Sequence, residues 1–325
     1  MNQSSPTDVS VVIPTYNGSG FLAKTLESVL AQSLLPRDII VVDDCSTDQT
    51  VEMVRSIAQG SKVPIRLIEL ESNSGGPARP MNTGVRVAES PFVAMLDQDD
   101  LMTPDRLRLS VQALIEHPGA SIACGNYRFI DETDAVKPGG CSKDIFPFLE
   151  DSQYPLSRVL RCDGDLWFKR FFTNGGLQQS CSNHLFRKSL WEQLGGYREE
   201  AKLASDYDFF CRAFRHGVVW LQELLFEKRV HASNTWTNNA QSDLQMAILQ
   251  DKLVELLDYP QACQWRNEVL LERTRMARWK GRYRLSRLHS ARLIKHGRLL
   301  DGLTEYTKGL LIGPIGALRN LVRKG

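Results

Sequence analysis

Residues 9–18 read VSVVIPTYNG, and this stretch decides the fold class. Four of its first five residues are β-branched and apolar, which favours a buried strand. The next residues, from Pro14 to Gly18, change at once to turn-forming and polar types. Similar apolar runs predict further strands over residues 38–42, 64–70, 91–96 and 121–130.

Helical patterns lie between these runs. Apolar stripes cover residues 21–30 and 51–58, and Thr103, Pro104 and Asp105 have the residue types that begin a helix. Strands that alternate with helices are typical of βαβ units. The predicted class is therefore α/β, with a Rossmann-like, mostly parallel sheet flanked by helices.

The second half of the chain has a weaker pattern. Residues 131–180 predict long loops with a short helix near residues 166–172. Order returns with an element over 185–194, a helix over 205–216, a strand over 218–225 and only helices after residue 238. We therefore expect an α/β half over residues 1–130, a second half of the same domain over 131–238, and a helical extension over 239–325.

Composition points to the cytoplasm. The seven cysteines are scattered and form no CxxC pair, which is typical of a reducing compartment. Residues 1–10 lack a signal-peptide pattern, and no apolar run is long enough to span a membrane. The net charge is only +2, but residues 264–325 carry fifteen Lys and Arg against four Asp and Glu.

Polar residues follow each of the first four predicted strands. In an open parallel sheet, ligands bind beyond the carboxyl ends of the strands, so these segments should meet in one crevice. The crevice would combine an aromatic face, a glycine-rich turn and several carboxylates, which together fit a nucleotide diphosphate and a divalent cation. The four segments are residues 14–18, 43–48, 73–77 and 97–100.

The acidic segment Asp97-Gln98-Asp99-Asp100 is the predicted metal site. Clustered carboxylates repel one another unless a cation lies among them, and Mg²⁺ or Mn²⁺ would neutralise a leaving diphosphate. Asp99 is the leading ligand, Asp97 contacts a ribose or a metal-bound water, and Asp100 binds the metal or orients the loop. The alternative is that these residues cap the following helix, and Asp48 is a candidate N-cap of the second helix in the same way.

Several ordered motifs resemble glycosyltransferase family 2, whose members are inverting enzymes of GT-A fold. The resemblance covers roughly residues 9–236. The matching segments are VVIPTYN at 11–17, VVDDCSTD at 41–48, residues 73–84, LDQDD at 96–100, GGY at 195–197, SDYD at 205–208 and RVH at 229–231.

The resemblance implies a fold of GT-A type and assigns roles to the matching residues. Thr15 and Tyr16 would line the base pocket, although Tyr16 alone could equally be a packing residue, and Asp44 would accept a hydrogen bond from the base. The implied metal ligands are Asp99, Asp100 and His231. The implied nucleotide-binding residues are Pro14, Thr15, Tyr16, Asn17, Asp44, Asn73, Gly75, Arg79 and Asp97.

Asp206 falls where this family has its general base, which takes the proton of the acceptor hydroxyl. The alternative for Asp206 is a helix cap. Asp208 has a structural or acceptor-orienting role, because two residues along a helix it points elsewhere. The sequence departs from the family pattern in two places. Ser205 stands where an acidic residue is common, and residues 78–82 read ARPMN where the family usually has Ala-Arg-Asn.

The acceptor site is predicted in the irregular segment, where Trp167 stands among other aromatic residues that could stack on a sugar or form a small core. The basic tail could contact an anionic membrane surface on the inner face, or simply be solvated. The expected reaction moves a sugar from a UDP-sugar to a hydroxyl of a glycan or lipid-linked glycan. The alternatives are a nucleotidyltransferase acting on a sugar phosphate and a nonenzymatic protein that binds through its tail, with nucleic acid the less favoured ligand.

Overall fold

The computed structural model describes residues 8–141, 159–161, 180–213, 216–232, 234, 262–279, 282–298 and 300–308. These residues fall into two compact units, one that contains the described residues up to Asn234 and one that contains those from Ala262 onward. Each unit is described below by itself.

The first unit is built on one sheet. Its order is β3-β2-β1-β4-β9-β6-β10-β5, with β7 beside β6 and β8 beside β10. The strands are β1 (Val9–Thr15), β2 (Asp38–Asp43), β3 (Ile65–Glu69), β4 (Phe92–Met95), β5 (Leu101–Met102), β6 (Ile122–Ile130), β7 (Val136–Cys141), β8 (Val159–Arg161), β9 (Leu185–Arg187) and β10 (Val218–Arg229).

The sheet is mostly parallel, as the sequence predicted. Strands β3, β2, β1 and β4 are parallel neighbours, and β6 is parallel to β10. Strand β9 joins these two groups and is antiparallel to both β4 and β6. All six parallel strands therefore end at the same edge of the sheet. Strands β1 and β2 are buried at every position, which requires cover on both faces.

Helices of the first unit cover this sheet with their apolar faces. In the first helix, for example, Leu22, Leu26 and Val29 are buried at helical spacing and join the main core. The helices of the first unit are α1 (Leu22–Leu30), α2 (Thr50–Gly60), α3 (Ala78–Val87), α4 (Arg106–Glu116), α5 (Lys188–Leu194) and α6 (Ser205–Ala213). Those of the second unit are α7 (Ala262–Trp279) and α8 (Tyr283–Lys295).

Helix α3 was not predicted, because its glycine and proline residues favour a turn. Gly84 explains how the helix packs. A Cβ atom at this position would lie 2.4 Å from Cγ1 of Val12, so only glycine allows α3 to approach β1 this closely. Pro80 lies in the first turn, where a missing N–H is tolerated.

Three predicted boundaries were wrong. Helix α4 begins at Arg106 rather than at Thr103, whose hydroxyl instead donates to the carbonyls of Leu224 and Leu225. Strand β10 continues to Arg229 instead of ending at residue 225. The predicted loop region contains strand β7, which pairs with β6. The short helix expected near residues 166–172 lies outside the described residues.

The second unit is helical where it is described. Helices α7 and α8 pack through Leu270 and Leu293, and the hydroxyl of Ser286 donates to the carbonyl oxygen of Thr274 at 3.1 Å. Residues 300–308 are also helical. Across the described part of the chain, every helix is too short or too polar to cross a bilayer.

Candidate active site

The loops after β1, β2 and β4 are joined by side-chain hydrogen bonds at the carboxyl edge of the sheet. Gln98 accepts from the hydroxyl of Thr15 at 2.6 Å and from the backbone N–H of Tyr16 at 2.8 Å. Gly18 leaves room for this amide, because a Cβ atom there would lie 2.5 Å from its oxygen. Sequence analysis gave Gln98 no role, yet it fixes the acidic loop beside the predicted base pocket.

The predicted nucleotide residues bond mainly to residues of the neighbouring strand-end loops. The side-chain oxygen of Asn17 accepts from the N–H of Thr47 at 2.8 Å, and the residue has a positive φ of 49°. The buried carboxylate of Asp44 accepts from the N–H of Ser74 at 2.9 Å and from its hydroxyl at 2.8 Å. Tyr16 is 47% exposed, so its ring is accessible.

The remaining predicted nucleotide residues flank these. The amide of Asn73 bridges the carbonyl of Asp44 and the N–H of Gly75, and Gly75 has a φ of 71°. Pro14 lies inside strand β1. Arg79, at the start of α3, donates to Glu199 at 3.3 Å and is 43% exposed.

The three aspartates of the acidic loop converge. One carboxylate oxygen from each of Asp97, Asp99 and Asp100 lies within 4.8 Å of the others. Hard oxygen ligands at this spacing fit Mg²⁺ or Mn²⁺. The chain therefore has an aspartate-rich cluster that could bind such an ion.

A turn from the second half of the sequence supports this loop. The hydroxyl of Ser182 accepts from the N–H of Asp97 at 2.8 Å and donates to Asp100 at 2.6 Å. The thiol of Cys181 donates to Oδ1 of Asp97 at 3.0 Å. Sequence analysis missed this 3₁₀ turn, Cys181–Asn183, because the turn lies between the predicted loops and the next predicted element, outside every segment that was searched for chemistry.

Asp99 and Asp100 differ sharply in environment. Burial raises the pKa of Asp100 to about 7, and the charges of Asp99 and Asp97 add to this shift while Lys228 opposes it. Burial also acts on Asp99, but a hydrogen bond from His231 and the charge of Lys228 leave its pKa below the ordinary value. Asp99 is therefore the more readily ionised of the two.

His231 lies beside Asp99. The family resemblance implied that both residues would bind the metal. Its Nε2 atom is 2.9 Å from Oδ2 of Asp99, and the side-chain amide of Asn234 donates to the same oxygen at 3.2 Å. Arg229 donates through Nε to the carbonyl of Asp99 and through its backbone N–H to Asp100, each at 2.9 Å. The last residue of β10 thus fixes the acidic loop through these hydrogen bonds.

Lys228 is a further site residue that sequence analysis did not identify. Its Nζ atom lies 3.8 Å from Oδ2 of Asp100 and 3.9 Å from Oδ2 of Asp97. Despite burial, the surrounding carboxylates hold the pKa of Lys228 above its usual range, so it stays charged. The signal was available: once β10 is extended by four residues, Lys228 falls at the same carboxyl edge as the acidic loop.

Asp206 is the second residue of α6 and is partly buried. Burial, followed by the negative charge of Asp97, raises its pKa to about 7. Its Oδ1 accepts from the N–H of Tyr207 at 2.7 Å. Because α6 begins at Ser205, Asp206 lies within the first turn rather than at the N-cap position of the alternative prediction. Among the described residues, no hydrogen-bond partner of its Oδ2 is seen. A carboxylate with this pKa is suited to accept a proton near neutral pH.

Asp208 has no exposed surface. Arg212 donates to it through Nε at 2.8 Å and through Nη2 at 2.6 Å, and Arg198 lies 3.4 Å away. Of the two roles predicted for Asp208, the structural one fits this arrangement. Trp167, the other predicted acceptor residue, lies outside the described residues.

Asp48 supports the start of α2 but is not the N-cap that sequence analysis weighed, because the N-cap position is Gln49. Its carboxylate accepts from the N–H of Thr50, the first residue of α2, at 3.0 Å and from the N–H of Ser19 at 3.1 Å. These bonds lower its pKa to about 2, against the opposing effect of desolvation.

The comparisons with known proteins agree with this geometry. The family model of glycosyl transferase family 2 matches residues 10–220, which is well over half of the chain. The chain belongs to glycosyl transferase family 2. Membership of this family supports a transferase enzyme and the transfer of a sugar from a nucleotide-sugar donor.

Three relatives illustrate the similarity to glycosyl transferase family 2. An uncharacterized glycosyltransferase of Rickettsia prowazekii is 26% identical over 240 residues, covering 73% of this chain and 68% of that protein. The succinoglycan biosynthesis protein ExoO of Rhizobium meliloti is 30% identical over 216 residues, covering 65% of this chain and 56% of ExoO. The poly(ribitol-phosphate) beta-N-acetylglucosaminyltransferase TarS of Staphylococcus aureus is 38% identical over 111 residues.

The chain aligns with only part of these longer proteins. It spans about half the length of ExoO (56%), and the TarS alignment covers 33% of this chain and 19% of TarS. The crystal structure of S. aureus TarS 1-349 in complex with UDP-GlcNAc is similar in fold, with a TM-score of 0.64 at 20% identity over 89% of this chain and 81% of that one. The fold of this glycosyl transferase family 2 member is therefore of GT-A type.

Proposed function

We propose that this chain is an inverting, metal-dependent glycosyltransferase that moves a hexose or hexosamine from a UDP-sugar to a hydroxyl of a glycan or lipid-linked glycan. The observation that carries the proposal is the convergence of Asp97, Asp99 and Asp100 at the strand-end edge that also holds the accessible ring of Tyr16. Cell-surface polysaccharide synthesis is the proposed setting, and similarity to a succinoglycan biosynthesis protein supports it.

The nucleotide would bind to the loops after β1, β2 and β3. Tyr16 offers an exposed ring for stacking on the base. Asp44, whose backbone N–H donates to the carbonyl of Thr15, would accept a hydrogen bond from a base N–H. The proposal of a UDP-sugar is supported by similarity to TarS, which has been solved with UDP-GlcNAc. Arg79 would reach the diphosphate by exchanging its exposed partner Glu199 for a phosphate oxygen.

Asp99 and Asp97 would hold the metal, with Asp100 and His231 beside them. Oδ1 of Asp99 and Oδ2 of Asp97 accept no hydrogen bond from the described residues, whereas their other oxygens are occupied. Bound there, Mn²⁺ or Mg²⁺ would neutralise charge on the departing diphosphate. The carboxyl oxygens of Asp100 accept from Ser182 and Arg229, so this residue also orients the loop.

Asp206 would act as the general base. Its carboxylate takes the proton of the acceptor hydroxyl as the oxygen forms a bond to the anomeric carbon. The bond from that carbon to the diphosphate oxygen breaks on the opposite face, so the configuration inverts and UDP leaves. The raised pKa of Asp206 makes it a stronger base than an ordinary aspartate.

The helical unit would bring the enzyme to a lipid-linked acceptor. Helix α8 exposes Arg284, Leu288, Ala291 and Lys295, which recur at helical spacing along one face. Such a face fits the inner, anionic surface of a membrane. Flotation with vesicles of phosphatidylglycerol should recover the protein, whereas phosphatidylcholine vesicles should not. Equal recovery, or none, would refute the membrane part of the proposal.

Product analysis tests the central reaction. The purified protein is incubated with Mn²⁺ and a panel of nucleotide sugars, and both nucleotide diphosphate and pyrophosphate are measured. We expect one UDP-sugar to release UDP slowly by hydrolysis, and faster when an acceptor glycan is added. Release of pyrophosphate would instead identify a nucleotidyltransferase. Release of neither product from any donor, together with no binding of UDP, would reject the enzymatic proposal.

A further inference from the structure

Lys228 occupies an unusual place for a cation in a metal site. It precedes the last residue of β10, and its side chain is only 14% exposed. Its ammonium makes ion-pair contacts at 3.8 and 3.9 Å with Asp100 and Asp97, distances longer than a direct hydrogen bond. Among the described residues, it has no closer polar contact.

The oxygen that faces Lys228 is one that a metal would need. Oδ1 of Asp97 is occupied by the thiol of Cys181, which leaves Oδ2 as the open oxygen. That oxygen is 3.9 Å from Nζ of Lys228. A divalent cation on Asp97 and Asp99 would therefore lie near an ammonium of the same sign, and the two charges would repel each other.

A nucleotide diphosphate removes this conflict. Its phosphate oxygens supply additional ligands for the cation and negative charge for the ammonium. The flexible side chain of a lysine can exchange a carboxylate partner at nearly 4 Å for a closer phosphate oxygen with little loss. Arg229 cannot do the same, because its guanidinium is buried and bonded to the carbonyls of Asp99 and Asp131.

We propose that Lys228 couples metal binding to diphosphate binding. In the free protein its ammonium holds Asp97 and Asp100 together and weakens the binding of a divalent cation on its own. When the cation enters with a nucleotide diphosphate, Lys228 turns to a phosphate oxygen and stabilises the complex. This inference rests on the proposed function, since it takes the donor to be a nucleotide diphosphate sugar.

Two binding measurements on Lys228→Met test the inference without an activity assay. MnCl₂ is titrated calorimetrically into the protein alone, and UDP is titrated into the protein with saturating Mn²⁺. We expect Mn²⁺ alone to bind on the order of tenfold more tightly to the variant, because a repelling charge is gone. We expect UDP to bind roughly tenfold more weakly, because a charged hydrogen bond is lost.

Opposite changes in the two affinities separate this role from a structural one, which would weaken both. Lys228→Arg keeps the charge and should leave the affinity for Mn²⁺ alone close to that of the unchanged protein. Lys62→Met is the matched control, because exposed Lys62 precedes β3 at the other edge of the sheet, and it should change neither affinity.

The outcomes also distinguish a failure of this inference from a failure of the proposed function. If the unchanged protein does not bind UDP, the proposed function fails. If it binds UDP but Lys228→Met leaves either affinity unchanged, or shifts both in one direction, the coupling role of Lys228 is wrong. If melting curves show that Lys228→Met does not fold even with Mn²⁺, Lys228→Gln is used instead. This variant should likewise bind Mn²⁺ alone more tightly and UDP more weakly.

Discussion

Two sides of the same crevice contrast in how their polar groups are satisfied. On the nucleotide side, the loops after β1, β2 and β3 bond to one another: Asn17 to Thr47, and Asp44 to Ser74. These bonds form between groups of the protein itself, so this side is already organised for a ligand. A planar base can bind against the exposed ring of Tyr16 without reordering the loops.

On the acidic side, four carboxyl groups lie close together. Lys228 is placed among Asp97, Asp99, Asp100 and Asp206, and burial raises the pKa of Asp100 and of Asp206 to about 7. Such an arrangement is costly unless a cation enters or protons are retained. The contrast teaches that substitutions of the nucleotide-side loops should change UDP affinity and stability, while those of the acidic-side carboxylates should change mainly metal binding and the rate.

The largest effect is expected from Asp206→Asn. An amide cannot accept the acceptor's proton, so kcat should fall by about 10²- to 10⁴-fold. UDP affinity measured by calorimetry should remain unchanged, because the proposed partner of Asp206 is the acceptor hydroxyl and not the nucleotide. The matched control is Glu89→Gln, which alters an exposed carboxylate paired with Arg37. Retention of full activity by Asp206→Asn would remove this residue from the role of base.

Asp99→Ala should lower kcat by roughly 10²- to 10³-fold, because the departing diphosphate loses electrostatic stabilisation. The same variant should bind Mn²⁺ much more weakly when UDP is present. Asp105→Ala, which alters an exposed aspartate beyond the loop, controls for the loss of a carboxylate. Equal Mn²⁺ binding by Asp99→Ala and the unchanged protein would contradict the metal assignment.

The pH dependence of the transfer rate should report the ionisation of Asp206. Burial and Asp97 raise the pKa of Asp206 to about 7, and only the ionised carboxylate accepts a proton. The rate should therefore be level above neutral pH and fall about tenfold per pH unit below it. Measuring kcat from about pH 5 to about pH 9 checks this. A profile that stays level down to about pH 5 would show a base with an ordinary pKa.

The nucleotide side could be predicted from sequence because its information is local. Each buried run such as residues 9–13 specifies a strand, and the polar residues after it must lie at the carboxyl edge. The crevice between β1, β2 and β4 follows from this pattern alone. The pattern did not predict helix α3. The glycine at position 84 is explained by close packing against Val12, which lies on a strand far away in the sequence.

The support of the acidic side could not be predicted in the same way. Ser182 bonds to a loop 85 residues away in sequence, and nothing local to it indicates that contact. Lys228 was missed for a different reason, since β10 was expected to end before it. The roles predicted for Asp206 and His231 came from the family resemblance. Local sequence patterns indicate only that a helix starts or a strand ends there, and they do not identify a general base or a metal ligand.

A smaller effect is expected from Tyr16→Ala on the nucleotide side. Loss of a stacking ring should weaken UDP by roughly tenfold. Tyr16→Phe keeps the ring and should bind UDP as the unchanged protein does. With saturating donor, kcat of Tyr16→Ala should be almost unaffected. A fall in kcat with unchanged UDP affinity would show that the two sides do not divide binding from chemistry as the contrast suggests.

The smallest effect is expected from Asp48→Ala, which tests whether internal bonds organise the nucleotide side. Asp48 binds the N–H groups of Thr50 and Ser19, and its removal should lower the free energy of unfolding by about 1 kcal/mol. Its pKa is lowered to about 2, so its stabilisation is present above the unfolded value of about 4 and is lost as pH falls toward 2.

Urea unfolding at neutral and at acidic pH measures this difference. Glu52→Ala, an exposed acid in the first turn of the same helix, should cost less, because its contribution there is limited to the helix dipole. Mn²⁺ binding in the presence of UDP should not change in Asp48→Ala, since Asp48 is bonded within the nucleotide side. A loss of Mn²⁺ binding that matched the loss of stability would instead mean that the acidic loop depends on the order of α2, and the two sides would then act as one unit.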